Sequence, residues 1–180
     1  MRLYLDMDGV LCHFAKKAQE TWGFPEKEDG WYDIEDHHWD MIDQKPEFWS
    51  EMEWQPGGRE LWDATKHLDP WLLTAYNIQV MQSTIVGKLG WVKSELAIPL
   101  WKTKLVMRED KQHYARNPDG SRNILIDDSK KNIREWFDQG GLAIYHGGDV
   151  SDTLHHLKNI TTGRIPTEYG LLLNLPATQE

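Results

Sequence analysis

Five short apolar runs, separated by stretches with helical spacing, leave this chain few ways to fold. The runs cover 3–5, 71–75, 105–107, 123–126 and 142–145. "LYL" and "ILI" are almost continuously apolar, the pattern of strands covered on both faces of a parallel sheet. Between the runs the spacing turns helical. Leu61, Thr65 and Leu68 share a face, and so do Ile85, Leu89, Val92 and Leu96, at i, i+4, i+7 and i+11. Gly87 and Gly90 weaken that second helix. Ile133, Trp136 and Phe137 form a stripe that Gly140-Gly141 stops, and Val150, Leu154 and Leu157 mark a last helix. Strands alternating with helices predict right-handed crossovers. The expected fold class is α/β, a three-layer, Rossmann-like parallel sheet.

One region breaks the alternation. Residues 15–55 contain no strand pattern and are rich in Trp, Asp, Glu and His. They read as a small, mostly helical cap inserted after the first strand. Pro56-Gly57-Gly58 marks the return to the core, which then comprises 1–14 and 56–180. Within 113–122, Asn117-Pro118-Asp119-Gly120 predicts a tight turn. The segment after Ile165 reads as a loosely packed extension.

The strand ends carry the chemistry. In an open α/β sheet, ligands bind at the carboxyl ends of the strands. The first strand ends at Asp6 and Asp8, the second delivers Thr74, the third is followed by Lys111, and the fourth ends in Asp127 and Asp128. Carboxylates converging on one edge repel one another unless a cation sits among them. All-oxygen ligands favour Mg²⁺, which retains waters and shares its shell with a substrate phosphate. Gly9 lets the chain turn tightly and leaves amides free to face phosphate oxygens.

Composition narrows the partners. A net charge of −9 argues against duplex nucleic acid and anionic membrane surfaces, which recruit clustered Lys and Arg. No uncharged run approaches the ~18 residues of a membrane span. No signal peptide is expected. Cys12 is the single cysteine, so a reducing, cytoplasmic home is expected. The pairs His37-His38 and His155-His156 read as surface or partly buried residues, because neighbours on a helix point too far apart to chelate together. Tryptophan is abundant at 10 residues. Most of Trp31, Tyr32, Trp39, Trp49 and Trp54 hold the cap together. Trp31 and Tyr32 are the candidates for stacking on a base, a contact worth ~1–3 kcal/mol per base in nucleic-acid systems.

"DMDGV", a threonine at a strand end, a lysine and "LIDDS", in that order, resemble the haloacid dehalogenase superfamily of phosphatases. The likeness extends to the 5'(3')-deoxyribonucleotidase family through "DMDGVL" followed by Phe14, the "FW…E…PG" passage, "K…WV" (Lys88, Trp91, Val92) and the step Arg108, Glu109, Asp110, Lys111. The resemblance implies that Asp6 is the nucleophile and forms an aspartyl-phosphate. Asp8 is then the acid that protonates the leaving alcohol and the base that activates water. Mg²⁺ is held by the Asp6 side chain, the Asp8 main-chain carbonyl and Asp128. Asp127 supports that shell from behind, or exchanges roles with Asp128. Thr74 and Lys111 bind phosphate and Phe14 touches the nucleoside. The implied function is a Mg²⁺-dependent phosphomonoesterase, a 5'(3')-nucleotidase acting on (deoxy)nucleoside monophosphates.

The chain departs from that pattern in three places. The stretch between Phe14 and Thr74 is short, Ala75 stands where the family tends to have a second hydroxyl, and the loop after Lys111 is long. Lys102 and Lys104 are therefore alternatives to Lys111, and Lys88 reads as a solvent lysine flanking its helix. Two rival functions remain: a phosphatase of the same type for a sugar phosphate or polynucleotide end, and a catalytically silent, Mg²⁺-binding interaction protein.

Overall fold

The computed structural model describes residues 1–23, 34, 36–45 and 47–164. Five strands, β1 (Leu3–Leu5), β2 (Trp71–Ala75), β3 (Thr103–Val106), β4 (Ile124–Asp127) and β5 (Leu142–Tyr145), form one sheet. Their order is β3-β2-β1-β4-β5 and every pairing is parallel. The third strand starts two residues earlier than the sequence suggests, and the fourth is shifted by one, so that Asp127 is its last residue.

Alternation along the strands sorts the side chains into two cores. Leu3, Leu5, Leu72, Ile124, Ile126, Leu142 and Ile144 face one side. There they meet α3 (Gly58–Thr65), α4 (Met81–Glu95) and α6 (Val150–Thr161) through Leu61, Trp62, Trp91, Val92, Val150, Leu157 and Ile160. Tyr4, Leu73, Leu125 and Ala143 face the other side, where α5 (Lys130–Asp138) adds Ile133 and Trp136. A 3₁₀ segment, Arg108–Tyr114, completes that layer. Tyr4 meets Trp136 edge to face, with ring centroids 5.7 Å apart, the offset geometry that aromatic quadrupoles prefer. Two covered faces make the predicted three layers.

Two helical expectations change. Leu68 lies in a 3₁₀ turn after α3 and is exposed. In α4 the buried stripe is Thr84, Gly87, Lys88, Trp91 and Val92, one position away from the predicted Ile85 and Leu89. The reason is electrostatic: Lys88 belongs to the buried face because its charge is matched there.

In 15–55 the described residues form α1 (Phe14–Trp22) and α2 (Asp36–Asp43), with turns at 47–51 and no strand of the sheet. Phe14, Trp22, Phe48 and Trp49 make a ring cluster continuous with the first core. The predicted turn is present, with Gly120 N donating to Asn117 O at 2.8 Å. The predicted C-terminal extension lies outside the described residues.

Strand order places the site. The chain moves outward from β1 to β2 and β3, then returns to lay β4 on the other side of β1. That reversal opens a crevice at the carboxyl ends of β1 and β4. Leu5 pairs with Ile126, and Asp6 N donates to Ile126 O at 3.0 Å, so Asp6 leaves the sheet beside Asp127.

Candidate active site

A cavity of about 680 Å³ occupies that crevice. Its walls include Asp6, Asp8, Gly9, Phe14, Lys111 and Asp128, six residues brought from three separate parts of the chain.

Oxygens of Asp6, Asp127 and Asp128 lie within 4.8 Å of one another. Asp127 is fully buried and fully engaged. Its carboxylate accepts from Lys111 Nζ at 2.9 Å, Ser129 N at 2.8 Å, and Asn132 Nδ2 at 3.0 Å on each oxygen. Asp128 has no hydrogen-bond partner among the described residues, and it lies against Gly9. A Cβ at Gly9 would stand 1.9 Å from Asp128 Oδ2, and the backbone there has φ +74°. Of the two acids at the end of β4, Asp128 is the one open to a ligand and Asp127 the one tied into the protein.

Lys111, predicted from the sequence, reaches this cluster and lines the cavity. Its Nζ is 2.9 Å from both Asp6 Oδ1 and Asp127 Oδ2. Only the Asp127 contact is aligned as a hydrogen bond, and an ammonium has three N–H groups, so Lys111 keeps donor capacity for a ligand. Burial pulls the Lys111 pKa down, but the Asp127 and Asp6 charges outweigh it and hold it above the ordinary lysine value. Burial pushes the Asp6 carboxyl up to about 7, with Asp127 and Asp8 adding to the rise against Lys111. Burial, then the charges of Asp127 and Asp6, raise Asp128 as well. The alternatives to Lys111 are elsewhere: Lys102 pairs with Asp69, and Lys104 lies 4.9 Å over the Trp71 ring.

Asp8 is held separately. Its Oδ2 accepts from Lys88 Nζ at 2.6 Å, and Oδ1 is buried without a partner among the described residues. Lys88 is fully buried rather than solvated, which corrects the sequence reading. Its other two N–H groups go to Thr74 Oγ1 at 2.8 Å and Ala75 O at 2.7 Å, so all three are spent inside the protein. The same contact revises Thr74. The sequence places it at the cavity as a phosphate ligand. Its hydroxyl is instead fully buried and turned to Lys88, while Ala75, Tyr76 and Asn77 form the wall at that strand end.

The aromatic wall is mixed. Phe14, the expected nucleoside contact, lines the cavity, stacked on Trp49 with centroids 5.7 Å apart. Trp49 also lines it, its ring 4.8 Å below Lys88 Nζ and its Nε1 without a partner among the described residues. Trp39 contributes, whereas Trp54 packs against Trp91 and donates to Glu95. Trp31 and Tyr32 lie outside the described residues. Sequence reasoning missed Arg108 as a wall residue, fixed by Glu135 at 2.7 Å and Asn132 at 3.1 Å. It missed His146 too. No local signal marks His146, because its place depends on the pairing of β4 with β5.

The donor set suits a hard divalent cation. Three carboxylates supply only oxygen, Asp6 Oδ1 has no aligned hydrogen bond among the described residues, and the open cavity leaves room for waters and a phosphate. The histidine pairs join no such group among the described residues. No described helix is long and apolar enough to cross a membrane.

No family model matches the chain, and no curated protein matches it. Solved structures do. A hydrolase from Pseudomonas syringae is 14% identical over 88% of this chain and 98% of its own, with a TM-score of 0.44. A haloacid dehalogenase-like family hydrolase from Streptococcus pneumoniae is 13% identical, covering 90% and 97%, at 0.49. The L-2-haloacid dehalogenase from Xanthobacter autotrophicus is 9% identical, covering 92% and 84%, at 0.48. Likenesses this slight carry no chemistry to this chain, so its function has to be argued from its own side chains.

Proposed function

We propose that this chain is a phosphomonoesterase of the haloacid dehalogenase type, using an aspartyl-phosphate intermediate. One observation carries the reading: two acids a single residue apart are each held by a different buried lysine. Asp6 sits with Lys111, Asp127 and Asp128, while Asp8 sits with Lys88. Environments that differ this much give neighbouring carboxyls different roles.

Asp6 attacks phosphorus with one carboxylate oxygen. The bond from phosphorus to the ester oxygen breaks, and the leaving alkoxide takes a proton from Asp8. Asp8, now a carboxylate, takes a proton from water, whose oxygen attacks the phosphorus of the acyl phosphate. Inorganic phosphate leaves and Asp6 is restored. Covalent catalysis divides one difficult displacement into two easier ones. Lys88 fixes the direction of the Asp8 carboxyl, and Lys111, which lines the cavity, supplies a positive charge and a donor to phosphate. Asp6, Asp128 and the Asp8 carbonyl would hold Mg²⁺, with Asp127 behind them. Bound there, the ion removes the repulsion between a carboxylate and a phosphate dianion.

For the alcohol side, the Phe14–Trp49 wall supports a flat group, and a nucleoside monophosphate supplies one. The test is phosphate release from ribo- and deoxynucleoside 5'- and 3'-monophosphates, sugar phosphates and an aryl phosphate, with Mg²⁺ and with chelator. Activity should need the metal. Asp6→Asn should lower kcat by ~10³ or more while leaving the melting curve in place. Asp8→Asn should accumulate an acid-stable, hydroxylamine-sensitive phosphoenzyme. An Asp6→Asn variant that turns over at the wild-type rate ends the nucleophile assignment.

A further inference from the structure

We infer that Arg108 is a specificity-determining residue that grips a second anionic group on the substrate, a phosphate or carboxylate separate from the phosphate that is cleaved. This rests on the phosphomonoesterase reading and deepens it by naming the substrate class, esters that carry two oxyanions rather than one.

Arg108 opens the 3₁₀ segment after β3 and lines the cavity together with Asp6, Lys111 and Asp128. Its side chain keeps 35% exposure, so a ligand in the cavity can reach it. A guanidinium has five N–H groups. Both on Nη1 are spent, on Glu135 Oε2 at 2.7 Å and on Asn132 Oδ1 at 3.1 Å. One on Nη2 goes to Glu135 Oε1 at 3.3 Å. That leaves the Nε–H and the second Nη2–H. Nε is open, because no atom of Arg108 is both buried and unpartnered among the described residues. The two spare N–H groups lie parallel along one edge of a rigid plane, a fork that fits two oxygens of a carboxylate or a phosphate. Glu135 and Asn132 hold the rest of the group, so the fork is set before a ligand arrives and little rotamer freedom is left to lose on binding.

Arg108 stands apart from the reacting centre. Its ion pair is with Glu135, and none joins it to Asp6, Asp127 or Asp128 among the described residues. Asn132 connects the two places: its Oδ1 accepts from Arg108, and its Nδ2 donates to both oxygens of Asp127, which in turn holds Lys111. Lys111 therefore serves the phosphate at Asp6, and Arg108 serves a group one side chain further along the wall. The surroundings favour an anion there. Ser129 and Asn132 bring the start of α5 to the cavity, and its first turn holds Lys130 and Lys131 and no acid. Lys130 Nζ lies 5.6 Å over the ring of Tyr145, another wall residue. On a chain of net charge −9 this is a local reversal of sign beside a cluster of carboxylates.

The test compares kcat/KM within two matched pairs: a nucleoside 5'-monophosphate against its 3',5'-bisphosphate, and glycerol 3-phosphate against 3-phosphoglycerate. Products are resolved by chromatography and the full chain is used with Mg²⁺. The ester with the second anion should be preferred about 10-fold or more in at least one pair. The nucleoside pair identifies a phosphate as the second group, and the glycerol pair a carboxylate. In Arg108→Gln, which removes both the charge and the fork, the ratio should fall to near one, mainly through a higher KM for the doubly charged ester. Arg108→Lys, which keeps the charge and loses the fork, should retain part of the preference, and it serves if the Gln variant does not fold. A wild-type enzyme without preference in either pair overturns the assignment. So does a folded Arg108→Gln or Arg108→Lys variant that keeps the full wild-type ratio, as it would if Arg108 only braced α5 and slowed every ester alike when lost. Failure of the underlying reading looks different: the wild-type enzyme would release no phosphate from any ester, p-nitrophenyl phosphate included, and the role of Arg108 would fall with it.

Discussion

Asp8, Lys88 and Thr74 form a chain of contacts in which each group is costly without the next. Lys88 is completely buried, and an ammonium out of water is tolerated only with its charge paired and its N–H groups used. Asp8, Thr74 and the Ala75 carbonyl do both. Lys88→Met should therefore leave Asp8 facing an apolar neighbour. It should destabilise the fold by ~1–3 kcal/mol, less than for a fully buried pair because Asp8 keeps 28% side-chain exposure. It should also lower kcat ~10²-fold by releasing the direction of the Asp8 carboxyl. Adding Asp8→Asn should recover most of the lost stability and none of the activity, which a double-mutant cycle of melting and rate reads directly. Gly9 makes a second argument from one atom. Gly9→Ala meets both a left-handed backbone and Asp128 Oδ2. The strain is on the order of 1–3 kcal/mol. Titration with Mg²⁺ should show weakened binding, since the Asp128 carboxylate has to move. Unchanged affinity would mean that Asp128 is not a ligand.

At the scale of elements, the sheet was legible and one helix face was not. β1, β2, β4 and β5 are short, nearly uniform apolar runs, and burial on both sides needs nothing else, so their reading follows from composition alone. The strand tips point to a single crevice, and the structure brings Asp6, Asp8, Lys111 and Asp128 together in its walls. The buried face of α4 escaped because hydrophobic periodicity treats lysine as a solvent residue. Lys88 is buried only because Asp8, 80 positions earlier, neutralises it. Thr74 was misplaced with it, being Lys88's partner. Gly87 belongs to the same story. Its absent side chain reads as a helix weakness, yet a Cβ there would stand 2.5 Å from Trp49 Cβ. The helix approaches the cavity wall closely at the residue before Lys88. Gly87→Ala gains up to ~1 kcal/mol of helix propensity. It costs ~1–3 kcal/mol in overpacking against Trp49. The second term should win, giving a lower melting temperature and a higher KM for nucleotides. A more stable Gly87→Ala protein would show that α4 is free to shift.

For the whole molecule, the site is a local excess of negative charge on a chain already at −9. That excess should be visible in stability before any substrate is added. Burial, reinforced by neighbouring carboxylates, raises Asp6 from 3.8 to about 7 and raises Asp128 in the same direction. The native chain then holds more protons than the unfolded chain between those limits, so unfolding releases protons there. By linkage, this contribution to stability is present in full below the unfolded carboxylate range and is lost as pH rises toward the native value. Metal-free protein should therefore melt at falling temperature from pH 5 to pH 8. Asp128→Asn removes one charge and keeps the volume. In chelator at pH 8 it should be more stable than wild type, with the gap narrowing as pH falls and the wild-type carboxyl takes up its proton. With Mg²⁺ the order should invert, because the wild type gains binding energy that the variant cannot. The inversion is the informative part. A site assembled for structure would be strengthened by its own charges, whereas one assembled to hold a cation and a phosphate is strained until they arrive. An Asp128→Asn protein that is less stable in chelator, with no reversal on adding Mg²⁺, would show that the three aspartates are not gathered for a metal.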